Sequence, residues 1–151
     1  MRGRLTGTAI TLGAGVLLTA GLTTASAAPP TTPPTRAAAL QPVLVDCLWH
    51  RNVRPADFIL ACGDGNSRLT ALHWSQWGPS GAKAVGVNVV NDCDPYCAAG
   101  RFHPYPVTVR LDRPQPWKKD PGVRHFTRMT LTYSGARPDG YHQVETYPLW
   151  N

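Results

Sequence analysis

The stretch "ACGDGNSRLTALHWSQWG", residues 61–78, brings Cys62, Asp64, His73, Trp74, Gln76 and Trp77 into a span short enough for one hairpin. An indole pair three residues apart, beside the donors of His73 and Gln76, could form a stacking platform for sugar rings. The same two tryptophans could instead fill a core. Leu72 and Trp74 fall on one face of a strand while Leu69, Ala71 and His73 fall on the other, so the pattern leaves both faces open. Asp64 and Asn66 lack the later oxygen ligands and closing glutamate of a calcium loop. Asp64-Gly65-Asn66 reads as a hairpin turn, because Gly and Asn accept left-handed backbone. Ser80-Gly81-Ala82-Lys83 matches an S-x-x-K pattern, in which lysine activates serine from the next helical turn. Here it sits in a turn after Pro79, without an S-D-N or K-T-G partner. Glu145 is the single glutamate, and the aspartates sit mainly in turns or beside arginines, which leaves no evident pair for glycoside hydrolysis. His50, His73, His103, His125 and His142 lack the spacing of a metal-binding helix. The sequence therefore assigns no catalytic residue, no metal ligand and no cofactor.

Arg2 and Arg4, an uncharged run to Leu22 and Ala25-Ser26-Ala27 have the layout of a secretory signal peptide over residues 1–27. Residues 28–40, "APPTTPPTRAAAL", hold little to bury and read as an extended spacer. Residues 41–151 are enough for one domain. Export predicts that Cys47, Cys62, Cys93 and Cys97 form disulfides, not a zinc site of Cys93 and Cys97 with His103. Four cysteines allow three connectivities. Cys47 with Cys62 and Cys93 with Cys97 is the favoured one, and in the chain-entropy model the first pair contributes about 3 kcal/mol.

The chain carries a formal charge of +6, and residues 101–137 hold eight basic side chains against Asp112 and Asp120. Arg110, Arg124, Phe126 and Arg128, with Trp117, Lys118 and Lys119 on an adjoining loop, form a candidate face for anionic wall polymers, lipid head groups or acidic protein surfaces. Nucleic acid is not expected for an exported chain, nor is a transmembrane segment after signal cleavage.

These side chains need rigid elements to position them. Period-two alternation recurs in "PVLVDCLW", "DFILAC", "SRLTALHW", "AKAVGVNVV", "YPVTVRL", "VRHFTRMTLTY" and "HQVETYPLW", separated by Gly, Pro, Asn and Asp turns. The fold class this predicts is all-β and mainly antiparallel, a small disulfide-braced sandwich or barrel of about six to seven strands. In the first run Val43, Val45, Cys47 and Trp49 share a face. A hairpin loop from Arg113 to Gly122 or Val123, centred near Lys118 and holding the turn former Asp120-Pro121-Gly122, sets Val107 opposite Met129, Val109 opposite Thr127 and Leu111 opposite His125, all inward. Outward, it sets Thr108 by Arg128, Arg110 by Phe126 and Asp112 by Arg124.

The string "ACGDGN…LHWSQWG…NDCDPYCAAGRFHPYPVTVRL" resembles a group of small exported actinobacterial four-cysteine proteins. They share a cysteine before D-G-N, an L-x-W-x-x-W-G run, a C-x-P-x-C-A-x-G element and a following Y-P-V strand. The resemblance spans roughly residues 45–150. That group has no assigned activity, so the resemblance implies neither a function nor a site. "YPVTVRL" and "VRHFTRMTLTY" are also similar to late strands of the streptomycete-type subtilisin-inhibitor family, although the cysteine spacings differ and its early T-L-x-C strand and helix are not evident. That likeness implies a disulfide-braced loop near Asp94–Ala98 presented in extended form to a protease. The sequence expectation is a secreted, non-catalytic binding module, with protease inhibition second and a small hydrolase third.

Overall fold

A computed structural model describes residues 41–150, so the expected signal peptide and spacer lie outside the described residues. The strands are β1 (Leu44–Val45), β2 (Arg51–Asn52), β3 (Phe58–Ile59), β4 (Ser67–Trp77), β5 (Ala82–Asn91), β6 (Phe102–Trp117), β7 (Asp120–Tyr133) and β8 (Val144–Pro148). β3 to β8 make one antiparallel sheet in chain order, curled into a half-barrel, and β1 pairs with β2 apart from it. All-β architecture braced by Cys47–Cys62 and Cys93–Cys97 is as expected.

Proline placement explains how β6 can be central and still hold Pro104, Pro106, Pro114 and Pro116. Both neighbours flank β6 only from Val107 to Leu111, since β7 pairing stops at Val107–Tyr133 and β5 pairing at Ala82–Leu111. Each proline lies where one side of β6 is outside the paired ladder, although the Pro106 carbonyl still accepts from the Ser134 N–H at 3.4 Å, so the missing N–H groups fall where strand pairing has ended.

Two irregularities in β4 decide which residues enter the core. Ala71 takes φ 50°, and Ala71 and Leu72 together oppose Gly86; Ser75 is a second extra residue. Each bulge resets the alternation, so Leu69, Leu72 and Trp77 are all buried, with Trp74 packed against them. The inner layer continues with Ala82 and Ala84 of β5, Val107, Val109 and Leu111 of β6, and Met129, Leu131 and Tyr133 of β7.

The β6–β7 hairpin departs from its expected register. Its turn falls at Lys118-Lys119, about the expected centre, closed by Trp117 opposite Asp120, but residues 121–123 of β7 have no counterpart between that pair and Pro116–Arg124, so Asp120-Pro121-Gly122 opens an irregular stretch of β7 that shifts the register. Val107 therefore faces Tyr133 instead of Met129, Leu111 faces Met129 instead of His125, and Asp112 faces Arg128 instead of Arg124. The offset is even, so Val107, Val109 and Leu111 keep the inward face. Past Arg113, at φ 52°, the ribbon coils, and Phe126 enters the core against Trp77 at 5.5 Å.

The first run is also corrected. Asp46 ends β1 by accepting from the N–H groups of Leu48 and His50, which turns the chain. Leu44 and Val45 are both buried, while Trp49 is turned out to the surface.

Candidate functional site

Strand register assembles a row that no single segment of the sequence contains. Gln76 of β4, Lys83 of β5, Arg110 of β6, Thr130 of β7 and Thr146 of β8 are successive cross-strand partners on the outer face. The adjacent row is His73, Val85, Thr108, Thr132 and Val144. A trough of about 470 Å³ follows the first row, lined by Gln76, Ser80, Lys83, Thr108, Arg110 and Thr130 among others.

Lys83 directly opposite Arg110 is electrostatically costly, because like charges in direct cross-strand register repel. Among the described residues, the acid in ion-pair reach of Arg110 is Asp112, which is shared with Arg128. Asp112 accepts from Arg128 Nε at 2.5 Å and from its Nη2 at 2.7 Å, a bidentate pair. That hydrogen bonding holds the Asp112 carboxyl below the usual carboxylate range. Arg110 stands 3.5 Å from Asp112 with its side chain 69% exposed, and Lys83 makes no ion pair among the described residues. The centre of the row thus carries two cations facing solvent.

The sequence-predicted basic face is only partly assembled. Arg110, Arg124 and Arg128 gather near the trough: Arg124 donates to the carbonyls of Pro114 (3.0 Å) and Pro79 (3.5 Å), the latter beside Ser80. Phe126 and Trp117 do not join them, since both are buried, and the expected alternation of guanidinium and aromatic groups on one exposed face is absent. Lys118 and Lys119 occupy the distant hairpin tip, where the Lys119 ammonium sits 3.8 Å from the centre of the Trp49 ring.

The tryptophan platform is likewise corrected. Trp77 is buried and donates from Nε1 to the Pro42 carbonyl, Trp74 donates to the Pro55 carbonyl, and the two rings meet edge to face at 4.6 Å. The β4 bulges turn both indoles inward, leaving His73 and Gln76 exposed on the opposite face.

At the other end of the sheet, Cys93 and Cys97 are bonded to each other, so neither remains as a thiolate ligand for a metal shared with His103. His103 Nε2 instead lies 2.8 Å from Asp92 Oδ2. Asp92 is held down to about 2, chiefly by the Arg101 N–H, then by His103 and the Asp94 N–H. This carboxylate fixes the loop. The loop is curled, with Ala99 and Gly100 both donating to the Tyr96 carbonyl, and lacks the extended form that a protease would need.

Lys83 is the cation of this row that sequence reasoning missed. It was legible only as an outward position in a strand; its significance comes from the partner strand that sets it against Arg110. Fold and site together define a disulfide-braced antiparallel β protein with a cationic, hydroxyl-rich row on its outer sheet face. Comparison with protein-family models, curated proteins and solved structures finds no match for this chain.

Proposed function

We propose that this protein is an exported, non-catalytic binding module that holds anionic ligands of the cell envelope on its outer sheet face. Lys83 and Arg110 make the central contact, with Arg124 and Arg128 at its margin. The observation that carries this reading is the opposed pair Lys83–Arg110, in which Arg110 has only Asp112, shared with Arg128, within 3.5 Å and Lys83 has no ion pair among the described residues, a repulsion that an anion between them would turn into attraction. The surrounding Thr108, Thr130, Thr132 and Gln76 add hydrogen-bond donors to the same trough. Two disulfides are compatible with life outside the cytosol.

Retention on an anionic column tests the reading. The native domain should elute at a salt concentration well above that of Lys83→Ala with Arg110→Ala, since each phosphate or carboxylate contact releases counterions. The double variant should fold as well as the native chain, or better by a few tenths of a kcal/mol (about 0.3), because the repulsion is gone. Equal retention of the two proteins would overturn the assignment.

A further inference from the structure

Building on that reading, we infer that the ligand is a linear polymer of phosphodiester-linked polyol units, lying along the row and perpendicular to the strands. The row from Gln76 to Thr146 crosses four inter-strand gaps, a length of about 19 Å. A single small anion would engage only its centre. Gln76 extends the row on one side of the cations and Thr130 and Thr146 extend it on the other; their hydroxyls share one hydrogen bond at 3.4 Å, which leaves one hydroxyl proton there for a ligand seated on Lys83 and Arg110.

The chemistry of the row selects the repeating unit. Lys83 and Arg110 are donors only, the threonine hydroxyls can donate, and Asp112 is already engaged by Arg128. The site is therefore matched to a ligand rich in acceptor oxygens and poor in donors it must satisfy, as a phosphodiester chain is. The flank of the row is apolar in part: Val85 and Val144 are 55% and 53% exposed in the neighbouring row, where the methylene groups of a polyol linker would rest. Among the described residues no aromatic side chain lines the trough, so unstacked bases find no platform there, which sets this ligand apart from single-stranded nucleic acid.

Calorimetric titration of the full chain, disulfides intact, with oligo(glycerol phosphate)s from dimer to decamer tests the inference. Affinity should rise with length and level off once the oligomer spans the row. Lys83→Ala or Arg110→Ala should weaken every oligomer by about tenfold, the loss of one charge-assisted contact. Thr146→Val, one strand beyond the trough, preserves the β-branched shape and should weaken the decamer several-fold while leaving the dimer unchanged. If dimer and decamer bind alike and the threonine variant has no effect, the extended track is wrong, although the anion site stands. Tighter binding of polygalacturonate or of a single-stranded oligonucleotide, at equal charge and salt, would overturn the choice of phosphodiester polyol. If none of these polyanions binds, the anion reading falls with it.

Discussion

Asn88 shows how a polar residue is made tolerable in this core. It is fully buried; its Nδ2 donates to Ser67 Oγ (3.1 Å) and the Arg68 carbonyl (3.2 Å), and its Oδ1 accepts from the Tyr133 hydroxyl (2.9 Å). Tyr133 in turn meets Tyr105 and Tyr141 edge to face. Tyr133→Phe should cost about 1–2 kcal/mol in urea unfolding, because it leaves the Asn88 oxygen buried without its donor. Burial raises the Tyr133 hydroxyl well above its usual value of 10.0, with the neighbouring Tyr147 adding to the effect. The unfolded chain then ionises first, so stability is retained below about pH 10 and lost as pH rises further. In the Phe variant that alkaline loss should be shallower. Alternation predicts that Val107, Val109 and Leu111 share a face, and a two-residue period is a local property that survives an even register offset. Phe126 was misplaced for the converse reason: its facing depends on the turn of the ribbon at Arg113, which no periodicity reports.

Among elements, the β4–β5 pair carries the most information, because its first bulge decides where the indoles go. Ala71 sits at φ 50°, a left-handed conformation that favours glycine, while its partner position is already a glycine for a different reason. A Cβ on Gly86 would lie 2.8 Å from Leu72 Cδ2 and 3.0 Å from the Thr70 carbonyl oxygen, and the second of these is backbone that cannot rotate away. The two sites predict opposite signs. Gly86→Ala should destabilise by about 1–3 kcal/mol through overpacking, and Ala71→Gly should stabilise by up to about 1 kcal/mol by relieving the left-handed strain. Denaturant midpoints of the two variants check this. Equal effects would mean that the bulge is not where it is described. The turn signals were informative at Asp64-Gly65-Asn66, where Gly65 takes φ 70° and Asp64 accepts from the Asn66 N–H. They misled at Asp120-Pro121-Gly122, because turn-forming residues also suit an irregular stretch inside a strand.

At the scale of the whole molecule, a half-open sheet must protect its edges. The outer edge of β7 is covered by β8 from Arg128 to Thr132 and, beyond it, by Val43, which donates to the Arg124 carbonyl and accepts from the Phe126 N–H. Phe58 of β3 stacks on Trp150 at 5.9 Å, and Trp150 Nε1 donates to the Asp46 carbonyl, so the first strand of the sheet meets the end of the chain. The Cys47–Cys62 bridge spans fifteen positions across this closure, whereas Cys93–Cys97 spans four within one loop. Replacing the first pair by serine should cost about 3 kcal/mol and the second about 2 kcal/mol, in proportion to the loop entropy each removes from the unfolded chain. Thermal unfolding of the two variants separates them. By itself the sequence determined the β class, the inward set of the central strands and the favoured cysteine pairing, because these follow from short-range periodicity, turn chemistry and loop closure. Only the tertiary structure decided that Trp74 and Trp77 are core and that Lys83 meets Arg110. The first depends on bulges that shift the alternation, and the second on register between separate strands, a relation that no local pattern of side chains encodes.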